Sequence, residues 1–422
     1  MDYLRRVVDD ELDELLGGAT ALALEGAKGV GKTATAAQRA NSALRLVDPR
    51  QLEILRADLD VVSRMEPPVL IDEWQYEPAV WDSVRRWTDD EPEPGRFLLT
   101  GSAGPPPGTR IHSGAGRILR VVMRPLSLPE RGIQRPTVSL HGLLAGGAEV
   151  RGESDVDLPT YTDEILGSGF PGIRPLRGRA RRAQIDSYVA RIVERDLSDQ
   201  GMAVRRPAAL KAWLTAYAAA TATTSSWSVI LDAATPGEDD KPSRQTVMQY
   251  REHLERLFIL EPLPAWLPTF SALKRLGASP KHHLVDPGLA ASLVGADADT
   301  LLAGEGDRVG PAAGTLLGAL FESLATQTVR VLAQNGEASV SHLRTRGGEH
   351  EVDLIVEGRG RAVVALEVKL AETVSDSDVR HLLWLRNEIG DRLRDMVVLT
   401  TGQFAYRRPD GVAVVPLALL GA

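Results

Sequence analysis

The chain has no cysteine in 422 residues. That excludes disulfides and any metal centre held by thiolates, and it suits a reducing compartment. No apolar run approaches the ~20 residues of a membrane-spanning helix, so no membrane partner is expected. The first residues, Met1-Asp2-Tyr3-Leu4-Arg5-Arg6, lack the apolar stretch of a secretory leader. The expected location is the cytoplasm. There is also no global basic excess: the formal net charge is -8, which does not announce a nucleic-acid binder. A local basic face can still exist within an acidic chain, so clusters have to be sought one by one. The length suggests two to four domains, with more than one core.

What is present is more specific. Gly26-Ala27-Lys28-Gly29-Val30-Gly31-Lys32-Thr33 fits the phosphate-binding pattern G-x-x-x-x-G-K-[ST] at every fixed position. The short apolar stretch 20–25 reads as the strand before it. The Ala-rich stretch 34–46, free of Gly and Pro, reads as the helix after it. A strand, a glycine loop and a helix aim backbone N–H groups at a polyphosphate. Lys32 is expected to reach the β- and γ-phosphates of ATP, and the Thr33 hydroxyl to sit on Mg²⁺.

Pro67-Pro68 then leads into Val69-Leu70-Ile71-Asp72-Glu73, an apolar strand ending in two acids, as a Walker B strand does. Asp72 is expected on the Mg²⁺ and Glu73 beside the attacking water, a general-base task. Residues 96–102 read as the next strand, with Thr100 and Ser102 as sensors of the γ-phosphate or as ordinary strand-end turn residues. The Gly- and Pro-rich segment 104–116 is expected to be a mobile loop. Arg117 opens a fifth strand, Ile118 to Met123. It reads either as an arginine finger for a neighbouring subunit of a homo-oligomer or as a surface salt bridge.

The stretches LEGAKGVGKT, VLIDEWQ, FLLTGSA, GAGRI and MRPLSLPE, in this order, resemble the prokaryotic family in which an AAA+-like ATPase domain is fused to a C-terminal domain of unknown function. They cover the first third of the chain. The resemblance implies a five-stranded parallel sheet flanked by helices.

The expected organisation is an ATPase core over 1–150, a helical lid over 151–215, a winged-helix-like region over 216–303 and a nuclease-like domain over 304–422. Residues 133–160 read as a linker or hairpin. Gly167-Ser168-Gly169-Phe170-Pro171-Gly172 resembles the family's turn behind the ATPase core. An arginine cluster follows at Arg174, Arg177, Arg179, Arg181 and Arg182, then Arg191 and Arg195. It can hold DNA phosphates or face solvent paired to Glu194 and Asp196, and Arg174 can sense nucleotide instead. Helices over 208–221, 226–233 and 243–257 precede an apolar stretch, the order of a winged helix. There Arg244, Gln245 and Gln249 would face a DNA groove. Protein contact is the alternative use, and Glu238, Asp239 and Asp240 would repel phosphate. The stretch KHHLVDPGL, residues 281–289, matches the family too. It contains no evident catalytic arrangement, and His282 and His283 read as strand-surface residues.

Near the C-terminus a helix carrying Glu322 precedes a strand with Asp353 and another ending Leu366-Glu367-Val368-Lys369. An acid followed by E-x-K on the next strand is the PD-(D/E)XK nuclease pattern, an α/β restriction-endonuclease-like fold. Period-two spacing puts Glu367 and Lys369 on one face. Asp353, Glu367 and Glu322 are the expected metal ligands, and Lys369 the group that activates water. Arg344, Arg346, Arg359 and Arg361 are candidates for a backbone track. The expected function is a Mg²⁺-dependent ATPase that moves or remodels duplex or branched DNA; the alternatives are a nucleotide-operated switch for a protein partner and an ATP-gated endonuclease of a defence or toxin system.

Overall fold

The computed structural model describes residues 3–102, 114–199, 201, 202, 204, 206–235, 242–267, 279–306 and 314–422. The acidic residues 238–240, most of the loop expected over 104–116 and most of the linker expected over 304–314 lie outside the described residues.

The N-terminal third runs α1 (Val8–Leu16), β1 (Ala21–Glu25), α2 (Lys32–Ala37), β2 (Ser42–Arg45), α3 (Pro49–Ala57), β3 (Val69–Asp72), α4 (Ala79–Asp90), β4 (Phe97–Gly101) and β5 (Ile118–Val122). Its five strands form one sheet in the order β2-β3-β4-β1-β5, every pair parallel. Parallel strands are covered on both faces and so read as continuous apolar runs. Along β1 the faces separate cleanly: Leu22 and Leu24 enter one core, Ala21 and Ala23 the other. The expected helix over 34–46 stops at Ala37. Asn41 and Ser42 donate their backbone N–H to Pro68 O, and residues 42–45 pair with β3. Edge pairing outweighs the helix propensity of the Ala-rich segment.

The chain continues with β6 (Val138–Ser139), α5 (Leu140–Ala145), β7 (Gly152–Glu153), α6 (Leu158–Leu166), α7 (Gly178–Arg191), a π-turn (Ile192–Asp196), α8 (Leu197–Asp199), α9 (Pro207–Ala219), α10 (Trp227–Ala234), α11 (Arg244–Arg256), α12 (Pro287–Leu293) and α13 (Ala298–Leu302). Residues 138–153 are not a linker. β7 adds to the C-terminal sheet beside β12 (Phe404–Arg407), and β6 pairs with β14 (Leu420–Gly421). The ATPase sheet therefore ends well before the boundary expected at 150.

The last third runs α14 (Leu316–Asn335), β8 (Ser339–Arg344), β9 (Glu351–Glu357), β10 (Val363–Val368), α15 (Asp376–Ile389), β11 (Leu393–Thr400), β12, β13 (Ala413–Pro416) and β14. Its sheet has the order β7-β12-β13-β11-β10-β9-β8. β8, β9 and β10 are antiparallel neighbours, and β11 joins β10 in parallel after α15. Helix α14 is the common spine. Thr328 Oγ1 accepts from Leu128 N at 3.2 Å, Gln334 bonds Arg124 and Glu11, and Asn335 donates to Val7 O. One apolar cluster runs from the ATPase sheet through the middle helices to the C-terminal strands.

Candidate active site

The phosphate loop leaves the carboxyl end of β1. Gly26 has φ +152°, and a Cβ built there would lie 2.1 Å from Met123 O, so only glycine fits. Gly31 is the N-cap of α2 at φ 106° and ψ 11°, a left-handed conformation. Lys28 and Gly29 form the exposed tip, while Ala27 and Val30 are buried beneath it. Lys32 is buried, and its Nζ donates to Gly26 O at 2.8 Å and Ala27 O at 2.9 Å. Burial lowers this ammonium to about 8, against the pull of Glu73 and Asp72. A polyphosphate beside Nζ favours the charged form. Nucleotide binding at about pH 8.5 is therefore expected to take up a proton that it does not take up at about pH 6.5, where Lys32 is already charged. Calorimetry in buffers of different ionisation enthalpy measures this. A binding enthalpy independent of buffer at the higher pH would rule the coupling out.

β4 lies between β1 and β3, and this brings the polar groups together. Asp72 Oδ1 accepts from Thr33 Oγ1 and from Thr100 Oγ1, both at 2.6 Å. Glu73 follows β3 with φ 57° and ψ 50°, a left-handed conformation uncommon for a residue with a side chain. Its Oε2 accepts from Ser102 Oγ at 3.1 Å and from the Gln75 amide. The expected sensors thus touch both acids. Hard oxygen donors from Thr33 and Asp72, side by side at the loop, fit the ligand chemistry of Mg²⁺.

Residues that local patterns did not single out hold the loop from behind. Buried Arg6 donates to Val30 O at 3.0 Å, Arg124 O at 2.9 Å and Glu130 Oε1 at 2.9 Å. Tyr188 on α7 donates its hydroxyl to Lys28 O at 3.0 Å. The 167–172 turn lies against the loop: a Cβ built on Gly29 would be 3.8 Å from Phe170, and one on Gly31 3.9 Å from Pro171. Asp286 anchors that turn by accepting from Gly169 N at 2.7 Å. The 167–172 turn was expected behind the ATPase core; Arg6 and Tyr188 carried no signal, and Asp286 lies in the KHHLVDPGL stretch, which offered no role by itself.

The structure separates other expected site residues from this centre. Arg117 stands at the amino-terminal end of β5, which pairs with the start of β1, so it is remote from the phosphate loop of its own chain. It bonds Asp89 at 2.9 Å. Arg174 is not at the phosphate loop but in a buried-edge network. It reaches Glu164 at 2.8 and 3.1 Å, and Arg131 meets the same carboxylate at 3.1 Å. Arg177 and Arg181 turn to backbone carbonyls at Arg174 and Leu176, while Arg179 and Arg182 are exposed. Arg244, Gln245 and Gln249 are exposed on α11, whose other face buries Val247, Tyr250 and Leu254.

The C-terminal acids do converge, around a lysine. Lys281 Nζ lies 2.8 Å from Asp353 Oδ1 and 2.9 Å from Glu322 Oε1. Glu367 accepts from Lys369 Nζ at 3.0 Å. An ammonium thus sits against Glu322 and Asp353, two of the expected metal ligands, while the third, Glu367, pairs with Lys369. Among the described residues no group of three or more His, Cys, Asp or Glu side chains is disposed to hold a metal ion. Burial pushes Glu322 up to about 7, although Lys281 pulls the other way. His282 and His283 are not on a strand surface either. Both are buried, with Ser225 O at 2.7 Å from His282 Nε2 and Ser323 Oγ at 3.2 Å from His283 Nδ1. Burial lowers His282 to about 4, so it stays neutral.

The loop, the two acids and the polar end of an intervening strand, on a parallel sheet, define a P-loop ATPase. Residues 19–131 match the AAA domain family. Residues 158–300 match a domain of unknown function, DUF8612, and residues 317–420 another, DUF4143. The first of these spans the 215/216 division expected between lid and winged helix. Two uncharacterised proteins, from Mycobacterium bovis and Mycobacterium tuberculosis, are 26% identical over 379 residues, covering 89% of this chain and 72% of theirs. A Walker-type ATPase of Pyrococcus abyssi aligns with a TM-score of 0.41 and 15% identity, over 69% of this chain and 96% of that one.

Proposed function

We propose that this ATPase is Mg²⁺-dependent and acts on DNA, with turnover of ATP driving movement or remodelling of duplex or branched DNA. Thr33 and Asp72 would hold the ion, which supplies charge neutralisation at the phosphates. Lys32 and the loop N–H groups orient the polyphosphate, and Glu73 takes the proton of the attacking water. The observation that carries the DNA reading is the outward face of α11, where Arg244, Gln245 and Gln249 stand exposed above a buried apolar face. α9, α10 and α11 are followed by two antiparallel bridges, Leu260 with Leu284 and Leu263 with Lys281, an order that supports a winged-helix reading. Exposed Arg179 and Arg182 add positive charge on α7. Arg117 is available to a neighbouring subunit of a homo-oligomer only after leaving Asp89.

The test is steady-state hydrolysis with Mg²⁺, alone and with single-stranded, duplex, forked and four-way DNA, with Lys32→Ala as the blank. Stimulation by at least about tenfold with one DNA form, reduced in Arg244→Ala/Gln249→Ala, is expected. Turnover indifferent to all four forms would overturn the DNA reading.

A second reading is a nucleotide-operated switch for a protein partner. It is favoured by the contacts of Tyr188, Phe170 and Pro171 with the phosphate loop, through which nucleotide state would reach the middle helices. Among the described residues no helix is long and apolar enough to cross a membrane. Cytoplasmic placement remains part of the proposal.

A further inference from the structure

Lys281 reaches the C-terminal acids from another part of the chain. Its backbone pairs with Leu263, N–H to O at 2.9 Å and O from N–H at 2.8 Å, which fixes the register of residues 260–263 against 281–284. Its side chain then enters between α14 and β9. Nζ lies 2.9 Å from Glu322 Oε1, 2.8 Å from Asp353 Oδ1 and 3.2 Å from Glu351 Oε1, and the side chain is 2% exposed. The ammonium donates hydrogen bonds to Glu322 and Asp353 and is ion-paired with Glu351. Asp353 is held in place independently, because its Oδ2 accepts from Val368 N at 2.9 Å. Glu367 is buried beside this group, and its Oε1 meets no hydrogen-bond partner among the described residues.

We propose that the Lys281 ammonium takes the place of the divalent cation in this nuclease-like arrangement, so that the C-terminal domain is a metal-free, non-cleaving body. The acids that would grip a metal serve instead to tie Lys281, and through it residues 281–284, to the C-terminal sheet. An ammonium supplies one positive charge but no Lewis acidity and no coordinated hydroxide, so these acids have no means of activating water on a phosphodiester. Both cations satisfy oxygen donors, but they exclude each other: a divalent ion among Glu322, Asp353 and Glu351 would face the ammonium at contact distance. The inference is independent of the ATPase reading.

The test uses Mn²⁺ as probe on the full chain without nucleotide, followed by electron paramagnetic resonance and by thermal melting. Wild type is expected to bind no Mn²⁺ that depends on Asp353. Lys281→Met is expected to melt lower, to bind one Mn²⁺ per chain at least about tenfold more tightly than wild type, and to regain melting temperature with it. Lys281→Met/Asp353→Asn should lose that ion. An Mn²⁺ bound by wild type and lost in Asp353→Asn would overturn the proposal, as would a folded Lys281→Met that gains none. If Lys281→Met fails to fold, the wild-type and Asp353→Asn titrations still decide it, together with plasmid nicking. Nicking by wild type that Asp353→Asn abolishes would overturn it.

Discussion

Glu73→Gln is expected to slow steady-state ATP hydrolysis by about 10²- to 10⁴-fold, while ATP affinity stays within about threefold of wild type. The separation follows from geometry. In the proposed function nucleotide is held by the loop glycines, Lys32 and Thr33, and the hydrogen bonds of Lys32 and Thr33 go to Gly26, Ala27 and Asp72 rather than to Glu73. Glu73 instead contacts Ser102 and Gln75 and is held off the strand axis by its left-handed backbone. An amide at this position can still accept from Ser102 and fills the same volume. It cannot take a proton from water. Thr33 and Thr100 remain on Asp72, so the magnesium-side oxygens keep their arrangement. Fluorescent-nucleotide titration beside a phosphate-release assay measures both quantities on one sample. Parallel loss of binding and turnover would mean that Glu73 shapes the loop. Turnover near the wild-type rate would remove it from the chemistry.

Which parts of this site were legible in advance depended on how far apart the cooperating residues lie in the chain. The phosphate loop is local: eight consecutive residues set its backbone path, so spacing alone defined it. The acids of β3 were readable because an apolar strand ending in Asp-Glu is also local. The same holds for the strands expected to carry Asp353 and Glu367, found as β9 and β10. Failures came where distant segments compete for the same backbone or side chain. The Ala-rich stretch after Ala37 gives up its helix because β3 offers it an edge. Residues 138–153 read as part of a linker or hairpin because their partners, in β12 and β14, lie more than two hundred residues away. Lys281 was the costliest miss. Its neighbours in sequence are two histidines, whereas its partners sit on α14 and β9. A period-two pattern correctly placed Glu367 and Lys369 together, but no pattern within a strand can announce a cation arriving from another segment.

The same long-range logic makes Glu164 the position where a single truncation should cost most stability. Glu164→Ala is expected to lower the free energy of unfolding by about 3–5 kcal/mol, because removing one partner of a buried pair leaves the other charge uncompensated. The stranded partner is Arg131, whose side chain is 0% exposed against 12% for Glu164. Arg131 keeps carbonyl partners at Leu126 and Glu164 and the amide oxygen of Gln327, but among the described residues no other carboxylate within bonding distance. Arg174→Ala should cost clearly less. Arg174 is 21% exposed, and its removal leaves the Arg131–Glu164 pair intact. An order of loss with Arg174→Ala the larger would refute this account. The pH dependence supplies a second check. Burial works to raise the Glu164 carboxyl, but Arg174 and Arg131 hold it below its ordinary value. A carboxylate depressed in the folded state contributes stability above its unfolded pKa and loses it as pH falls through the folded one. Wild type should therefore lose stability on acidification below about pH 4.5 more steeply than Glu164→Ala, whose curve lacks this contribution. Urea unfolding of both proteins across that range measures the difference in slope. The consequence reaches the ATPase site, because Arg174 also donates to Ser168 O at 3.1 Å, two residues before the Phe170-Pro171 turn that backs the phosphate loop. Weakening this network should loosen the turn before it unfolds the sheet, so nucleotide affinity in Glu164→Ala should fall at temperatures where the far-ultraviolet circular dichroism is still that of wild type.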